Sequence, residues 1–129
     1  MEDLAHIAAA LGDPLRIRIL DFLAKGRRGA CCSPENPEAP VAVCACDISE
    51  CLGHLAASKL AYHLRRLREV ALVREQRRGK WVYYSINDDA LAEICRAVAS
   101  RWSKGSAVAP EPDGAASQAK RSKRRPRGA

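Results

Sequence analysis

No stretch of this chain approaches the roughly 18–20 consecutive apolar residues of a membrane-spanning helix, which excludes an integral helical membrane protein. The N-terminus lacks the Lys or Arg that opens a secretory signal. It carries Glu2 and Asp3 instead, and the helix-breaking Gly12-Asp13-Pro14 follows at once. No export is expected. That puts six cysteines in a reducing cytoplasm, where disulfides are rare and metal or redox chemistry is the better account. Also missing are the paired C-x-x-C motifs of a zinc ribbon and the C-x-x-C of a thioredoxin-like enzyme. No nucleophile–base pair and no phosphate loop is present, so neither an enzyme nor a catalytic cofactor is expected.

What remains is a chain of 129 residues, 47% apolar, enough for one domain with a real core. Lys and Arg number 22 against 15 Asp and Glu, and the resulting +7 favours an anionic partner, nucleic acid first. The charge is unevenly spread. Residues 1–58 carry five basic and eight acidic side chains, for −3, whereas residues 59–80 carry eight basic and two acidic, for +6. Residues 81–102 give −1 and residues 103–129 give +5. The last block is Ala/Ser/Gly/Pro-rich and ends in KRSKRRPR, so the domain is expected over 1–102 and a disordered basic tail over 103–129.

Apolar spacing predicts the elements. Leu4, Ile7, Ala8 and Leu11 form one stripe of a short helix ended by Gly12. Asp13 offers a cap and Pro14 a first turn for a second helix carrying Leu15, Ile19, Phe22 and Leu23 inward to Gly26. Residues 27–43, with prolines at 34, 37 and 40, read as a loop. Asp47, with Glu50 in a capping-box relation, starts a third helix whose stripe is Ile48, Cys51, Leu52 and Leu55.

After a break at 53–57 a fourth helix runs to about Val70. Leu60, Leu64 and Leu67 share one face, and Lys59, Tyr62, His63 and Arg66 nearly oppose them, with Arg65 beside. A short helix, a turn and a longer helix with a basic, aromatic-bearing face fit a helix-turn-helix. Leu72–Gln76 and Trp81–Ile86 then flank Arg77-Arg78-Gly79-Lys80, a hairpin whose tip is cation and glycine. Such a ribbon is a wing that can follow a phosphate backbone. Asn87 or Asp88 caps a last helix with the stripe Leu91, Ile94, Cys95, Val98 and Trp102. The fold class expected is mostly α with a small β-hairpin wing, a winged helix-turn-helix, dimeric through the apolar stripes of its first and last helices.

The cysteines divide. Cys95 and Cys51 lie on apolar stripes, where a thiol behaves as a small core hydrophobe. Cys44 and Cys46 bracket one residue beside a helix start, a place that favours thiolate, and an extended C-x-C puts both side chains on one side. Cys31 and Cys32 lie in the proline loop, with eleven residues (33–43) between Cys32 and Cys44, and can fold back onto the pair. Three thiolates suit arsenite or antimonite; four suit cadmium, lead or zinc. His6 and His54 read as surface or packing residues, and His63 as a DNA contact.

The segments LGDPLRIRILDFL, VCACDISECLGHLAASKLAYHLRRLREVALV and REQRRGKWVYYSIN resemble the ArsR/SmtB family of metal-sensing winged-helix repressors, over about residues 4–100. The CxCD element is similar to that of arsenic- and cadmium-sensing members. The resemblance implies a dimer that sits on double-stranded operator DNA until a metal or metalloid binds the sensor cysteines. It gives that role to Cys44 and Cys46, places Lys59, Tyr62 and His63 on the recognition helix, and places Arg78, Gly79 and Lys80 on the wing. Ser58, Arg65, Arg66 and Arg77 complete the expected DNA face. Cys31 or Cys32 is the preferred third sulfur, with Cys51 as fallback. Ala56, Ala61 and Ala71 stand where the family usually has hydroxyls and a glycine, so Ala71 implies an altered exit from the recognition helix. The last helix has Asp88 and Asp89 but no His, so no zinc site is expected there. Two rivals remain at this point: a regulator sensing oxidant or persulfide through the same thiols, and a non-specific nucleic-acid-packing protein with structural zinc.

Overall fold

The computed structural model describes residues 3–29 and 33–103. Expectations for Cys31, Cys32 and the tail from 104 onward lie outside the described residues. The elements are α1 (Leu4–Leu11), α2 (Pro14–Ala24), a 3-10 turn (Gly26–Gly29), β1 (Val43–Cys44), α3 (Ala45–Cys51), α4 (Ala57–Glu69), β2 (Val73–Arg78), β3 (Trp81–Ile86) and α5 (Asp88–Trp102). One compact unit ends at Arg96 and a second begins at Ala97, so α5 starts in the first and finishes in the second. Among the described residues no helix is long and apolar enough to cross a membrane.

The first two helices follow their patterns closely. Ile7 and Ala10 are buried in α1, with Leu4 and Leu11 against the core, whereas Ala8 faces solvent. Leu15 N–H donates to Asp13 Oδ1 at 2.8 Å, so Asp13 caps α2 and Pro14 fills its first turn. The same bond holds the Asp13 carboxyl below the usual range. Ile19, Phe22 and Leu23 are buried, and the chain leaves α2 through Gly26 in the left-handed region (φ +65°).

The third helix is capped three residues earlier than its acids suggest. Its N-cap is Cys44, and Asp47 sits at the third helical position and returns a bond to the Cys44 N–H; the expected Asp47–Glu50 box is absent. Ile48 is buried, but Cys51 is exposed and Cys95 on α5 is exposed as well. Neither thiol is the core residue its stripe suggested. Cys51 is the last residue of α3, and α5 buries none of its residues in this chain.

Leu60, Leu64 and Leu67 bury α4. Its exit is a Schellman turn: Ala71 N–H donates to Arg68 O at 2.9 Å and Leu72 N–H to Leu67 O at 3.1 Å. Ala71 takes φ +64° to close it. The exit therefore keeps a glycine-type geometry with an alanine in it, in place of the altered path expected.

The wing hairpin turns at Gly79-Lys80, with Gly79 at φ +60°, and pairs Arg78 with Trp81 and Val73 with Ile86. The strand β1, unexpected from the loop-like sequence around it, adds to the other side of β3, giving the order β1-β3-β2. Cys44 pairs with Tyr83, which pairs with Gln76. Neighbouring Tyr83 and Tyr84 are both buried, on opposite faces, because β3 is central and each face has its own cover. An L-residue pays about 1–2 kcal/mol in the left-handed region. Ala71→Gly is therefore expected to raise unfolding stability by about 0.5–1 kcal/mol in urea melts, glycine's greater unfolded freedom offsetting part of the gain.

Candidate functional site: a cysteine cluster beside a recognition helix

Cys44 ends β1 and Cys46 lies in the first turn of α3, so the short strand-to-helix corner folds their side chains together. Their Cα atoms are 5.4 Å apart and their sulfurs are paired as a disulfide. The two sulfurs and a carboxylate oxygen of Asp47 all lie within 4.8 Å of one another. Asp47 is not a spare ligand, however. Its Oδ2 accepts from Ser33 Oγ at 2.6 Å and from Cys44 N–H at 3.0 Å, and its Oδ1 accepts from Ser33 N–H at 3.3 Å. Arg27 Nη1 stands 3.9 Å from the same carboxylate, and Arg27 donates to Ser33 O at 2.7 Å and Ala42 O at 3.3 Å. A fully buried carboxylate held by this many donors fixes the backbone on both sides of the cysteine pair. Cys51 lies away from this cluster, beside a surface depression lined by Arg18, Asp21, Arg28 and Leu52.

On α4, Ser58, Lys59, Tyr62 and Arg65 face solvent, while Arg66 is half-buried and bonds Glu69 at 3.3 Å. His63 departs from the expected DNA face. It is only 6% exposed, and its Nδ1 meets Arg16 Nη1 at 3.2 Å. Arg16 is itself buried, donating from Nε to Ala10 O at 2.7 Å, with Nη2 3.9 Å from Asp13. One guanidinium thus joins the end of α1, the cap of α2 and the recognition helix. Burial lowers the pKa of His63, opposed by Asp13 and reinforced by Arg16 and Lys59. A guanidinium can only donate, so His63 Nδ1 accepts in this contact. At the wing, Arg77, Arg78 and Lys80 are exposed; Arg78 lies 3.8 Å from Glu38, and the Lys80 ammonium sits 5.3 Å over the Trp81 ring. Tyr84 OH donates to Glu75 Oε2 at 2.7 Å, and burial, then that carboxylate, push its pKa up to about 12.

No family model matches the chain. Over 97 residues it is 32% identical to an HTH-type transcriptional regulator of Methanocaldococcus jannaschii, covering 75% of this chain and 92% of that relative. Over 98 residues it is 30% identical to the transcriptional repressor SmtB homolog of Synechocystis sp., covering 76% of this chain. It spans 62% of that repressor's own length. The chain belongs to the ArsR/SmtB family. Among solved structures similar to this ArsR/SmtB chain is NolR from Sinorhizobium fredii, at 26% identity and a TM-score of 0.53, covering 77% of this chain and 83% of that one. A shorter stretch of 46 residues is 39% identical to the arsenical resistance operon repressor of Bacillus subtilis, covering 36% of this chain and 43% of that relative. These relatives regulate transcription; the family is not one of enzymes.

For an ArsR/SmtB chain, two parts of the site were hidden in the sequence. Cysteine is not among the usual capping residues, so the Cys44–Asp47 box gave way to the more ordinary Asp47–Glu50 pair. Arg27 and Ser33 lie in irregular chain with no period to reveal them. The spacing Cys44-x-x-Asp47 was the one available signal.

Protonating His63 costs the folded protein more than the unfolded chain, where histidine titrates at its ordinary value near 6.5. Stability held above that pH is therefore expected to fall as pH drops below it. Thermal melts from pH 7.5 to 5 check this: His63→Gln, which keeps an acceptor for Arg16, should flatten the dependence.

Proposed function

We propose that this chain is a homodimeric repressor of a metal(loid) resistance operon, released from its DNA operator when thiolates bind arsenite or antimonite. The observation that carries the reading is the convergence of the Cys44 and Cys46 sulfurs at the start of α3, the helix that leads into α4. The shorter match to an arsenical resistance operon repressor supports arsenic as the first ion to test.

In the DNA-bound form, α4 enters the major groove with Ser58, Lys59, Tyr62 and Arg65 outward, and Arg66 reaches the backbone beside them. The wing carries Arg77, Arg78 and Lys80 along the phosphates, each neutralised phosphate releasing counterions. His63 serves the interface from behind, by holding α4 to Arg16. The second copy covers the apolar face of α5, where Leu91 is 43% exposed and Trp102 68% exposed, together with α1.

The ligand set is Cys44, Cys46 and a third thiolate from Cys31 or Cys32, the residues that precede Ser33 in sequence. Ser33 is already bonded to Asp47 beside the pair. Cys51 is the fallback. With the pair reduced, arsenous acid and three thiols give a trithiolate and three waters, with no change of oxidation state. Recruiting a fourth thiolate would suit cadmium, lead or zinc instead. Ion and operator then oppose each other reciprocally, typically by about 1–3 kcal/mol. The site works in the reduced protein of a cytoplasm.

The Cys44–Cys46 pairing favours a second reading, in which oxidant is the signal: a peroxide takes two hydrogens from the dithiol, leaving the disulfide and two waters.

Arsenite titrated into a reduced complex of the chain with labelled operator is expected to weaken binding about 5–150-fold. Cys44→Ser and Cys46→Ser should abolish that response while leaving DNA affinity near wild type. Operator affinity that ignores arsenite in the reduced wild type would overturn the arsenic reading. Mass spectrometry separates the two signals, since arsenite leaves an adduct and peroxide a loss of two hydrogens. Sedimentation should show a dimer that Leu91→Glu shifts toward monomer.

A further inference from the structure

The chain from Ser33 to Ala42 carries no regular structure, yet it is bonded to the wing at Pro34, Asn36 and Glu38. Tyr83 OH donates to Pro34 O at 2.7 Å. Asn36, fully buried, donates from Nδ2 to Gln76 Oε1 at 3.1 Å and accepts from Glu38 N–H at 3.0 Å. Gln76 Nε2 in turn donates to Glu38 Oε1 at 2.9 Å, and Glu38 Oε2 stands 3.8 Å from the Arg78 guanidinium.

The residues reached are not scattered. Cys44, Tyr83 and Gln76 are opposite one another across β1, β3 and β2, a single rung of the sheet. Directly opposed residues project to one face. On that face Cys44, Tyr83 and Ala42 pack together, with Cys46, Trp81 and Ala39 against them. The loop is therefore a strap over the rung whose first member is a sensor cysteine. Its beginning is held at Asp47 through Ser33, and its end is continuous with Cys44. Two residues beyond Gln76 on β2 comes Arg78, whose charge the strap's Glu38 partly occupies.

We propose that Asn36 and Tyr83 are positioning residues through which the strap Ser33–Ala42 transmits the state of Cys44 and Cys46 to the wing. The proposal rests on the thiolate-sensing reading above and adds to it a route that does not pass through the recognition helix. A ligand that repositions Cys44 acts on Tyr83 through the β1–β3 pairing and on Pro34 and Asn36 through the strap. Gln76 receives both. The wing tip then changes its angle to the groove, and Glu38 changes its competition with phosphate for Arg78. Each link of the route is a packed or hydrogen-bonded contact between two elements, the kind of chain through which coupling energy can travel.

The glycine at the wing tip gives a reporter remote from the thiols. In the reduced, full-length, 15N-labelled chain without DNA, arsenite at one equivalent, with the adduct verified by mass, is expected to shift the Gly79 amide resonance. Tyr83→Phe removes only the hydroxyl and Asn36→Ala removes the bridge to Gln76. Both should still take up arsenite, while the Gly79 shift shrinks by half or more. The arsenite-induced loss of operator affinity should fall at least fivefold short of wild type. Tyr83→Phe keeps the test decisive should Asn36→Ala fold poorly. A silent Gly79 in a wild-type chain that does release operator would overturn the strap route alone, as would a Tyr83→Phe chain with the full wild-type response. A wild-type chain that binds arsenite and keeps its operator overturns the sensing reading, and the strap route with it.

Discussion

The carboxylate of Asp47 is buried completely, and an ionised group there is tolerable only when its oxygens are filled by donors. Cys44 N–H, Ser33 N–H, Ser33 Oγ and the nearby Arg27 guanidinium fill them. These donors come from three pieces of the site: Cys44 from the cap of α3, both Ser33 groups from the start of the strap, and Arg27 from the turn after α2. Removing any one leaves part of a buried charge unpaired, which costs far more than an ordinary hydrogen bond contributes. The geometry of Cys44 and Cys46 follows from this. A C-x-C in open chain could point its sulfurs in many directions, but with Cys44 fixed as the cap and Asp47 fixed at the third position, they must meet.

A second buried charge plays the matching part for α4. Arg16 bonds Ala10 O and His63 Nδ1 and lies near Asp13, so α4 is tied to the corner between α1 and α2. Neutral His63 is what makes this contact favourable, because a protonated ring would face a guanidinium. The exposed side chains of α4 then stand on a helix that is clamped from behind. The two buried charges divide the structure between them: Asp47 organises the Cys44–Cys46 corner, and Arg16 the seat of α4. The sheet rung from Cys44 to Gln76 lies between the thiols and the wing.

The helices and the hairpin were legible in the sequence because their signals are local. Leu60, Leu64 and Leu67 fall on one helical face, Asp13-Pro14 marks a start, and Gly79 marks a tight turn. Where side chains end up was legible only when one partner dominated. His63 sits among cations in sequence, and only the packing of α2 against α4 brings Arg16 to it. Cys51 and Cys95 lie on apolar stripes, yet a stripe says which residues share a face and not how wide the covered part is. The two-residue strand β1 could not be seen at all: its pairing energy comes from β3, some forty residues away.

Spacing along the chain was enough to specify the winged helix-turn-helix and its basic helix and wing, because those signals are local. Tertiary structure decided that Asp47 is a donor-saturated anchor, that His63 holds the helix from behind, and that a proline-rich loop is a strap on the wing. The reason is the same in each case. A buried polar group takes its role from whichever partners folding brings to it, and those partners — Ser33 for Asp47, Arg16 for His63, Gln76 for Asn36 — are distant in sequence and belong to elements whose packing no local pattern specifies.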